Sequence, residues 1–402
     1  MENIIDSYDQ YVYYPSRAED VDKTGGEFSI QIFNEDVITQ PCKSLLILNG
    51  RVNLIKEAEW TREPVKLETL SIVTNGLLHF FDRIDYFIGD TEIDSIRKPG
   101  IACLLKGLAT LQDDRAFSDA GWRIRAPSTT LLNADGYFQA VYPMSLIMGF
   151  FEDFTQFVYR MRQKLVFHRN SVDCVTQMLV QHQSLDKNRI SVNLLEVGWS
   201  VPQIKFSLAY ETRIRNEILQ NTTYQLAYRN WYYTCNNTVS GVTEYTWDIP
   251  AMRSKTKFVI IGMQTGRADS KTKNNSMFDL CDLENIQVQL NDAKYYPRER
   301  LGLKNSQRKT ATLYHMYKNF KSAYYEDNSR IEPLIDYVTF LENYPIIAID
   351  CSYQPDIIKE SLINVKIHFQ WRSEVPANTT IHCLMIMDNT SIYNPMHNRV
   401  IK

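Results

Sequence analysis

Short runs of alternating apolar and polar residues dominate the chain from residue 28 onward. Phe28, Ile30 and Ile32 alternate with Ser29 and Gln31, the period of two that predicts a strand with one buried face. SLLILNGRVNL (44–54) predicts a strand broken at Asn49-Gly50, a dipeptide suited to a tight turn. Ile84, Tyr86 and Ile88 alternate with Arg83, Asp85 and Phe87, ahead of a break at Pro99-Gly100. Ile101, Leu104, Leu105, Leu108 and Leu111 then recur at helical spacing, which predicts a short amphipathic helix. The polar loop DDRAFSDAGW (113–122) leads to a strand at YFQAVYP (137–143), a helical turn at FFEDF and a long strand from Phe157 to His168.

The second half runs through the same order. Ile286, Val288 and Leu290 alternate with Gln287, Gln289 and Asn291, and a break follows at Tyr296-Pro297. Leu313, Tyr317, Phe320 and Tyr324 share one helical face. Further strands are predicted at LIDYVTF (334–340), IIAIDCS (346–352), NVKIHFQW (364–371) and IHCLMIMD (381–388). The repetition is clearest where IDYFIGDTEI, from Ile84, and IQVQLNDAKY, from Ile286, each give a strand, a turn pair (Gly89-Asp90, Asn291-Asp292) and a polar re-entry. These two segments lie half the chain's length apart.

Many short strands with Gly, Pro and Asn between them predict an all-β chain of two tandem antiparallel sandwiches. Their junction is expected between Asn188 and Pro202. Residues 1–24 are polar and end at Gly25-Gly26; they are expected to form an extended or mobile N-terminal arm. That leaves 25–195 for the first sandwich and 196–402 for the second.

Composition narrows the class. A chain of 402 residues fits two domains of about 200 residues. Apolar content of 44% and charged content of 23% are those of a soluble globular protein, and 24 Tyr with 18 Phe favour strands and large interfaces. A net charge of −3 gives no global attraction to nucleic acid or acidic membranes. No apolar run approaches the roughly 20 residues that span a bilayer, and MENIIDSYDQ lacks the basic-then-apolar pattern of a secretion signal. The seven cysteines, 42, 103, 174, 235, 281, 351 and 383, are scattered and contain no C-x-x-C. They are expected as reduced thiols of a cytosolic or nuclear protein, with the sequon-like triplets at Asn221 and Asn378 unused.

Candidate chemistry is sparse. The seven histidines (79, 168, 182, 315, 368, 382 and 397) form no H-x-H, H-x-x-x-H or H-E-x-x-H pattern. His182, His368 and His382 are the set weighed for a metal, and none is expected. No nucleophile elbow, phosphate loop or dinucleotide fingerprint appears. Asp82 and Asp85 stand three apart on a strand, which puts them on opposite faces and rules out an acid/base pair. Cys103 or Cys281 as a nucleophile would need a neighbouring imidazole; buried thiols are expected instead. The reading therefore contains no catalytic, cofactor-binding or metal-binding residue, no cofactor and no enzyme activity.

Taken in order, certain segments form a recognisable text. In the first half they are SLLILNG (44–50), NGLLHFFDRIDYFIGDTEID (75–94), YPMSLIMGFFEDF (142–154) and QKLVFHRNSVD (163–173). In the second half come WSVPQIKFS (199–207), RNWYY (229–233), KFVIIGMQTGR (257–267), FDLCDLENIQVQLNDAKYYP (278–297), IIAIDCSYQ (346–354) and VPANTTIHCLMIMD (375–388). From about residue 27 to 400 the chain resembles the double-jelly-roll major capsid proteins of adintoviruses and Polinton-like viruses, including the copies lodged in animal genomes.

The resemblance implies an eight-stranded jelly roll used twice, side by side. It further implies that three such chains make a pseudo-hexameric capsomer that tiles the icosahedral shell of a double-stranded-DNA virus. The partners it implies are other copies of the chain, neighbouring capsomers, and penton and minor capsid proteins. The place it implies is the virion, after synthesis in the cytoplasm or nucleus and without secretion. A chain of this length lies at the compact end of such proteins, so the longest loops, 113–133 and 264–280, are expected at the outer tip or the threefold axis.

On that view the strand 157–168 carries Phe157, Tyr159, Met161, Leu165 and Phe167 on one face and Arg160, Arg162, Lys164 and His168 on the other. The basic face is expected to be solvated, with a subunit contact or packaged DNA as functional alternatives. The arm, with Glu2, Asp6, Asp9, Glu19, Asp20 and Asp22 against Arg17 and Lys23, has the wrong sign for a genome-binding tail. RSKTK (253–257) and YYPRERLGLKNSQRK (295–309) are read as solvated, so no specific nucleic-acid site is expected. Two other readings remain: a two-sandwich glycan-binding protein or glycan hydrolase, and a domesticated host protein with a capsid fold.

Overall fold

The computed structural model describes residues 4–401 except 35–36, 57–60, 65–69, 125–130, 173, 182–187, 253, 292–293, 297–300, 302–309, 328–331, 354–361 and 398. Sixteen principal strands carry the fold. In the first half they are β1 Ile5–Tyr13, β2 Glu27–Ile32, β3 Leu45–Lys56, β4 Phe81–Ile88, β5 Thr91–Arg97, β6 Tyr137–Pro143, β7 Gln163–Arg169 and β8 Asn188–Phe206. In the second half they are β9 Tyr224–Asn236, β10 Glu244–Met252, β11 Thr256–Thr265, β12 Leu283–Leu290, β13 Lys294–Tyr296, β14 Ile347–Asp350, β15 Ile363–Trp371 and β16 Thr379–Asn394. The helices are α1 Pro99–Thr110, α2 Gly149–Asp153, α3 Val175–Met178, α4 Leu208–Leu219, α5 Ala311–Tyr325 and α6 Tyr337–Asn343.

Pairing repeats strand for strand. The first half forms the sheets β1-β8-β3-β6 and β2-β7-β4-β5; the second forms β9-β16-β11-β14 and β10-β15-β12-β13. All these pairs are antiparallel. Each half thus has its first strand on its eighth and its second on its seventh, the Greek-key pattern of a jelly roll. The segments from Ile84 and Ile286 occupy β4 and β12, the third members of matching sheets. Gly89 and Asn291 both take the left-handed conformation their turns require, with φ of 59° and 54°; Asp292 lies outside the described residues.

Alternation placed the inner faces correctly. Ile363, Val365, Ile367, Phe369 and Trp371 of β15 are buried, as are Phe28, Ile30 and Ile32 of β2. In β16 the residues Ile381 to Met387 are all buried, because its second face is covered by α1 of the other sandwich. The buried side chains of both halves merge into one cluster, from Phe28 and Trp199 to Trp231 and Val400. A small separate group, Ile38, Ile204 and Phe206, sits beneath α4.

The structure departs from the sequence pattern or adds to it at several places. The N-terminal arm is largely β1, paired with β8 from Tyr13–Trp199 to Ile5–Phe206; its residues are mostly exposed, so no apolar alternation marks it. The expected junction at 195/196 falls inside β8, which stays in the first sandwich to Phe206. Asn49-Gly50 makes no turn: β3 runs through it, and Gly50 is there because a Cβ would stand 2.2 Å from the Phe138 ring and 2.5 Å from Asn193 O. The strand expected at 334–340 is mostly α6, started by the Asp336 carboxylate accepting from Val338 N and Thr339 N. The long strand 157–168 is two pieces in different sheets, Val158–Tyr159 and β7, separated at Arg160 with φ of 50°. Helix α1 is not amphipathic, since all twelve of its residues are buried.

Candidate functional site at the junction of the sandwiches

The two sandwiches meet where α1, α2 and β5 of the first press on β9 and α5 of the second. The contact is close. A Cβ on Gly149 would lie 1.7 Å from Arg229 O, so only glycine lets the start of α2 touch the edge of β9. That edge is capped by side chains of the first sandwich. Arg229 N donates to Asp153 Oδ2 at 2.7 Å, and the Arg229 guanidinium holds the same carboxylate through Nε at 2.8 Å and Nη2 at 2.5 Å. Asn230 donates to Asp94 Oδ1 at 2.7 Å, and Asp94 Oδ2 accepts from Phe150 N at 2.9 Å. Tyr228 donates to Ile93 O at 2.5 Å.

Beside this edge Lys106 is buried against Glu152 in an ion pair. Its Nζ lies 4.8 Å from the Trp231 ring centre and 5.3 Å from that of Tyr324. Glu152 also accepts from Tyr324 at 2.5 Å and Tyr325 at 3.0 Å. Burial alone would lower the Lys106 pKa, but the Glu152 carboxylate and the Tyr325 hydroxyl together outweigh it and the pKa is raised. Burial first, and Glu152 second, push the Tyr324 phenol well above its usual value. The charged groups and tyrosines here, Lys106, Glu152, Asp153, Arg229, Tyr324 and Tyr325, are bound to one another, an arrangement that fixes geometry. The buried Trp231 indole N–H has no hydrogen-bond partner among the described residues.

A second polar chain crosses the junction. Tyr233 OH meets His382 Nδ1 at 2.7 Å, His382 Nε2 meets Gln264 Oε1 at 3.1 Å, and Gln264 Nε2 donates to Asn275 O at 2.7 Å. Asn275 Nδ2 reaches His79 Nε2 of the first sandwich at 3.5 Å. Burial lowers the pKa of His79 to about 4 and that of His382 to about 3, so both rings are neutral near pH 7. In the loop 264–280 Asn275 and Phe278 are buried and Ala268 O and Lys271 O accept from Thr176 and Gln181, while Ala268, Asp269 and residues 271–273 are exposed. The loop 113–133 folds Trp122 onto Gly107 of α1, with 125–130 outside the described residues.

The residues weighed for chemistry are dispersed. Asp82 pairs with Lys98 at 2.6 Å, while Asp85 is buried and bound by Arg83, Ser95 and His168. Burial raises the Cys103 and Cys281 thiols above their ordinary range. His368 is on β15 with Thr246 and Gln289, away from His382 on β16, and His182 lies outside the described residues. Among the described residues no group of three or more His, Cys, Asp or Glu could hold a metal. Of the basic face, Arg160 pairs with Glu211 at 3.1 Å, Lys164 stands 4.7 Å over the Phe87 ring and His168 contacts Asp85 and Glu27. Arg253 and most of 295–309 lie outside the described residues. Sequence reasoning missed Asp153, Arg229, Lys106 and Glu152; the only signal was a charged pair, Glu152-Asp153, inside an aromatic run.

Among the described residues no helix is long and apolar enough to cross a membrane. A family model described as a double jelly roll-like domain matches residues 70–391. No curated protein matches the sequence. Among solved structures, the Sputnik virophage structure aligns with a TM-score of 0.59 at 8% identity, covering 100% of this chain and 89% of that one. The mavirus major capsid protein aligns with 0.56 at 9% identity, over 98% and 89% of the two chains. The PBCV-1 VP54 structure fitted into Sputnik aligns with 0.55 at 12% identity, over 96% and 94%. At these identities the likeness is one of fold.

Proposed function

From the premise that the chain belongs to the double jelly roll-like domain family, we propose that it is the major capsid subunit of a double-stranded-DNA virus. Its type is that of adintoviruses and Polinton-like viruses, as a viral gene product or an integrated copy. The observation that carries this reading is the exact repetition of one eight-stranded topology, with both copies fused through a single continuous core. Two rigidly joined rolls present two similar blocks to neighbours, so three chains can surround an axis as six blocks. The solved structures with the same fold include a major capsid protein of mavirus. The junction agrees with a structural role, because Glu152 and Asp153 are committed to Lys106, Arg229 and tyrosines.

Function on this reading is assembly. The lateral faces build an obligate trimer burying more than about 2,000 Å² per interface, and trimer edges then tile with further capsomers and with penton and minor proteins in the virion. The functional division follows the sheets, with the first roll ending at Phe206 and α4 linking it to a second roll that begins at Tyr224. The test is the native mass of purified protein with negative-stain images of the same sample. A species near three times 46.9 kDa, seen as compact hexagonal particles, is the expected result. A stable monomer at all accessible concentrations would reject the capsomer.

A further inference from the structure

Under α4 the apolar core is interrupted. Ile38, Ile204 and Phe206, with Phe157, Tyr159, Tyr210 and Ile214 packed against them, stand apart from the cluster that joins the two rolls. A cavity of about 330 Å³ lies where the groups part, lined by Phe157, Phe206 and Ile214 of the small group and by Leu226 and Tyr393 of the main cluster. Protein interiors are otherwise close-packed, and a gap of this size is at the lower end of those that hold small molecules. Its walls come from both rolls and from the helix that links them, and domain interfaces are a common place for such sites.

The lining is aromatic with a single charge. Phe157 and Tyr210 stand edge-on to Phe206, their ring centres 5.2 and 4.9 Å from its own. Tyr224 and Tyr393 of the second roll lie 6.2 Å apart, and Tyr393 spends its hydroxyl on Tyr159 O. Among the described residues that line the cavity, Glu217 of α4 is the one that carries charge. Its carboxylate accepts from the Tyr224 hydroxyl at 3.3 Å and from Arg213 Nε at 3.2 Å. The Arg213 side chain is 73% exposed, and an exposed pair of this kind is worth little, so the carboxylate has capacity for a further donor. Earlier in the same helix, Glu211 already holds a cation against an aromatic ring. Arg160 pairs with it at 3.1 Å while the guanidinium centre lies 5.3 Å from the centre of the Tyr159 ring.

We propose that this cavity binds a small aliphatic amine, its alkyl chain between the aromatic walls and its ammonium group at Glu217. Aromatic faces attract a cation and a carboxylate completes its charge, whereas an anion would meet Glu217 as a like charge. At about 30 Å³ for each nonhydrogen atom, the share of a water molecule in the liquid, the guest has about ten such atoms, the size of octylamine. A guest there touches both rolls and the linking helix, so it stabilises the folded chain by binding that state alone. The site lies within one chain and does not depend on the trimer reading.

The experiment titrates the full chain with octylamine, 1-octanol and octanoate at pH 7, where the amine is protonated and octanoate ionised, following heat of binding and melting temperature. Octylamine is expected to bind saturably, one molecule per chain, about tenfold more tightly than octanol, with octanoate weakest. Glu217→Gln changes a half-exposed side chain and is expected to keep the fold, bring octylamine down to the level of octanol and leave octanol unchanged. Ile214→Trp fills the cavity and is expected to abolish binding of all three, with circular dichroism checking the fold. Equal affinities for the three on the wild type, or an amine preference that survives Glu217→Gln, would overturn the assignment to an amine. Absence of saturable binding, or binding that survives a folded Ile214→Trp, would overturn the site itself.

Discussion

Lys106 is the residue on which the junction depends most directly. It is buried in α1 beside Glu152, under the rings of Trp231, Tyr324 and Tyr325. Removing one member of such a pair leaves the other charge without compensation in a largely buried site. Lys106→Met is therefore expected to cost about 3–5 kcal/mol, measured by urea denaturation. Lys106→Met with Glu152→Leu is expected to recover most of that loss, because no lone charge remains. Neither partner announces itself in the sequence. Lys106 reads as the polar side of an amphipathic helix and Glu152 as surface charge in FFEDF, because pairing between separate connections has no local period.

At the scale of elements, local pattern succeeded where one face meets the core and failed where context decided. β2, β4, β12 and β15 were legible because their inward residues alternate with outward ones. Residues 334–340 also alternate weakly, but the Asp336 cap supplies acceptors to Val338 N, Thr339 N and Thr339 Oγ1, and helix wins. Asp336→Ala is expected to lose about 1 kcal/mol, seen as a lower melting temperature with an unchanged oligomeric state. β1 was illegible for a different reason. Its residues are exposed on both faces in the single chain, so the alternation that betrays a strand is absent. Gly50 and Arg160 show the same limit: a glycine that looks like a turn is a close approach to Phe138, and an arginine within an apparent strand marks the passage between sheets.

The whole molecule is expected to unfold as one cooperative unit, since buried residues of both rolls form a single cluster crossed by two polar networks. The chain from Tyr233 through His382, Gln264 and Asn275 to His79 makes that unit sensitive to acid. His79 and His382 titrate at about 4 and about 3 when folded, against an ordinary value of 6.5. Burial is the main cause in each, with Lys98 acting further on His79 and the His79 ring on His382. Because the folded values are lowered, the unfolded chain binds protons first as pH falls. Stability present above about pH 6.5 is therefore expected to decline progressively towards pH 4. A thermal melt followed across that range should show one transition moving down, and His79→Gln should flatten the slope.

What the sequence by itself determined was the fold class and its duplication. Alternating residues with turn formers between them specify strands with one wet and one dry face, and the order of those strands recurs in both halves. Those are short-range properties, written in consecutive residues. Tertiary structure alone decided that β1 completes the first roll, that β8 continues through Pro202, and that α1 is buried on every side. It also decided that Gly149, Asp153 and Lys106 of one roll meet Arg229, Tyr324 and Trp231 of the other. Each depends on residues distant in sequence covering one another, so its signature is the removal of water from a surface, and no run of neighbouring residues records that.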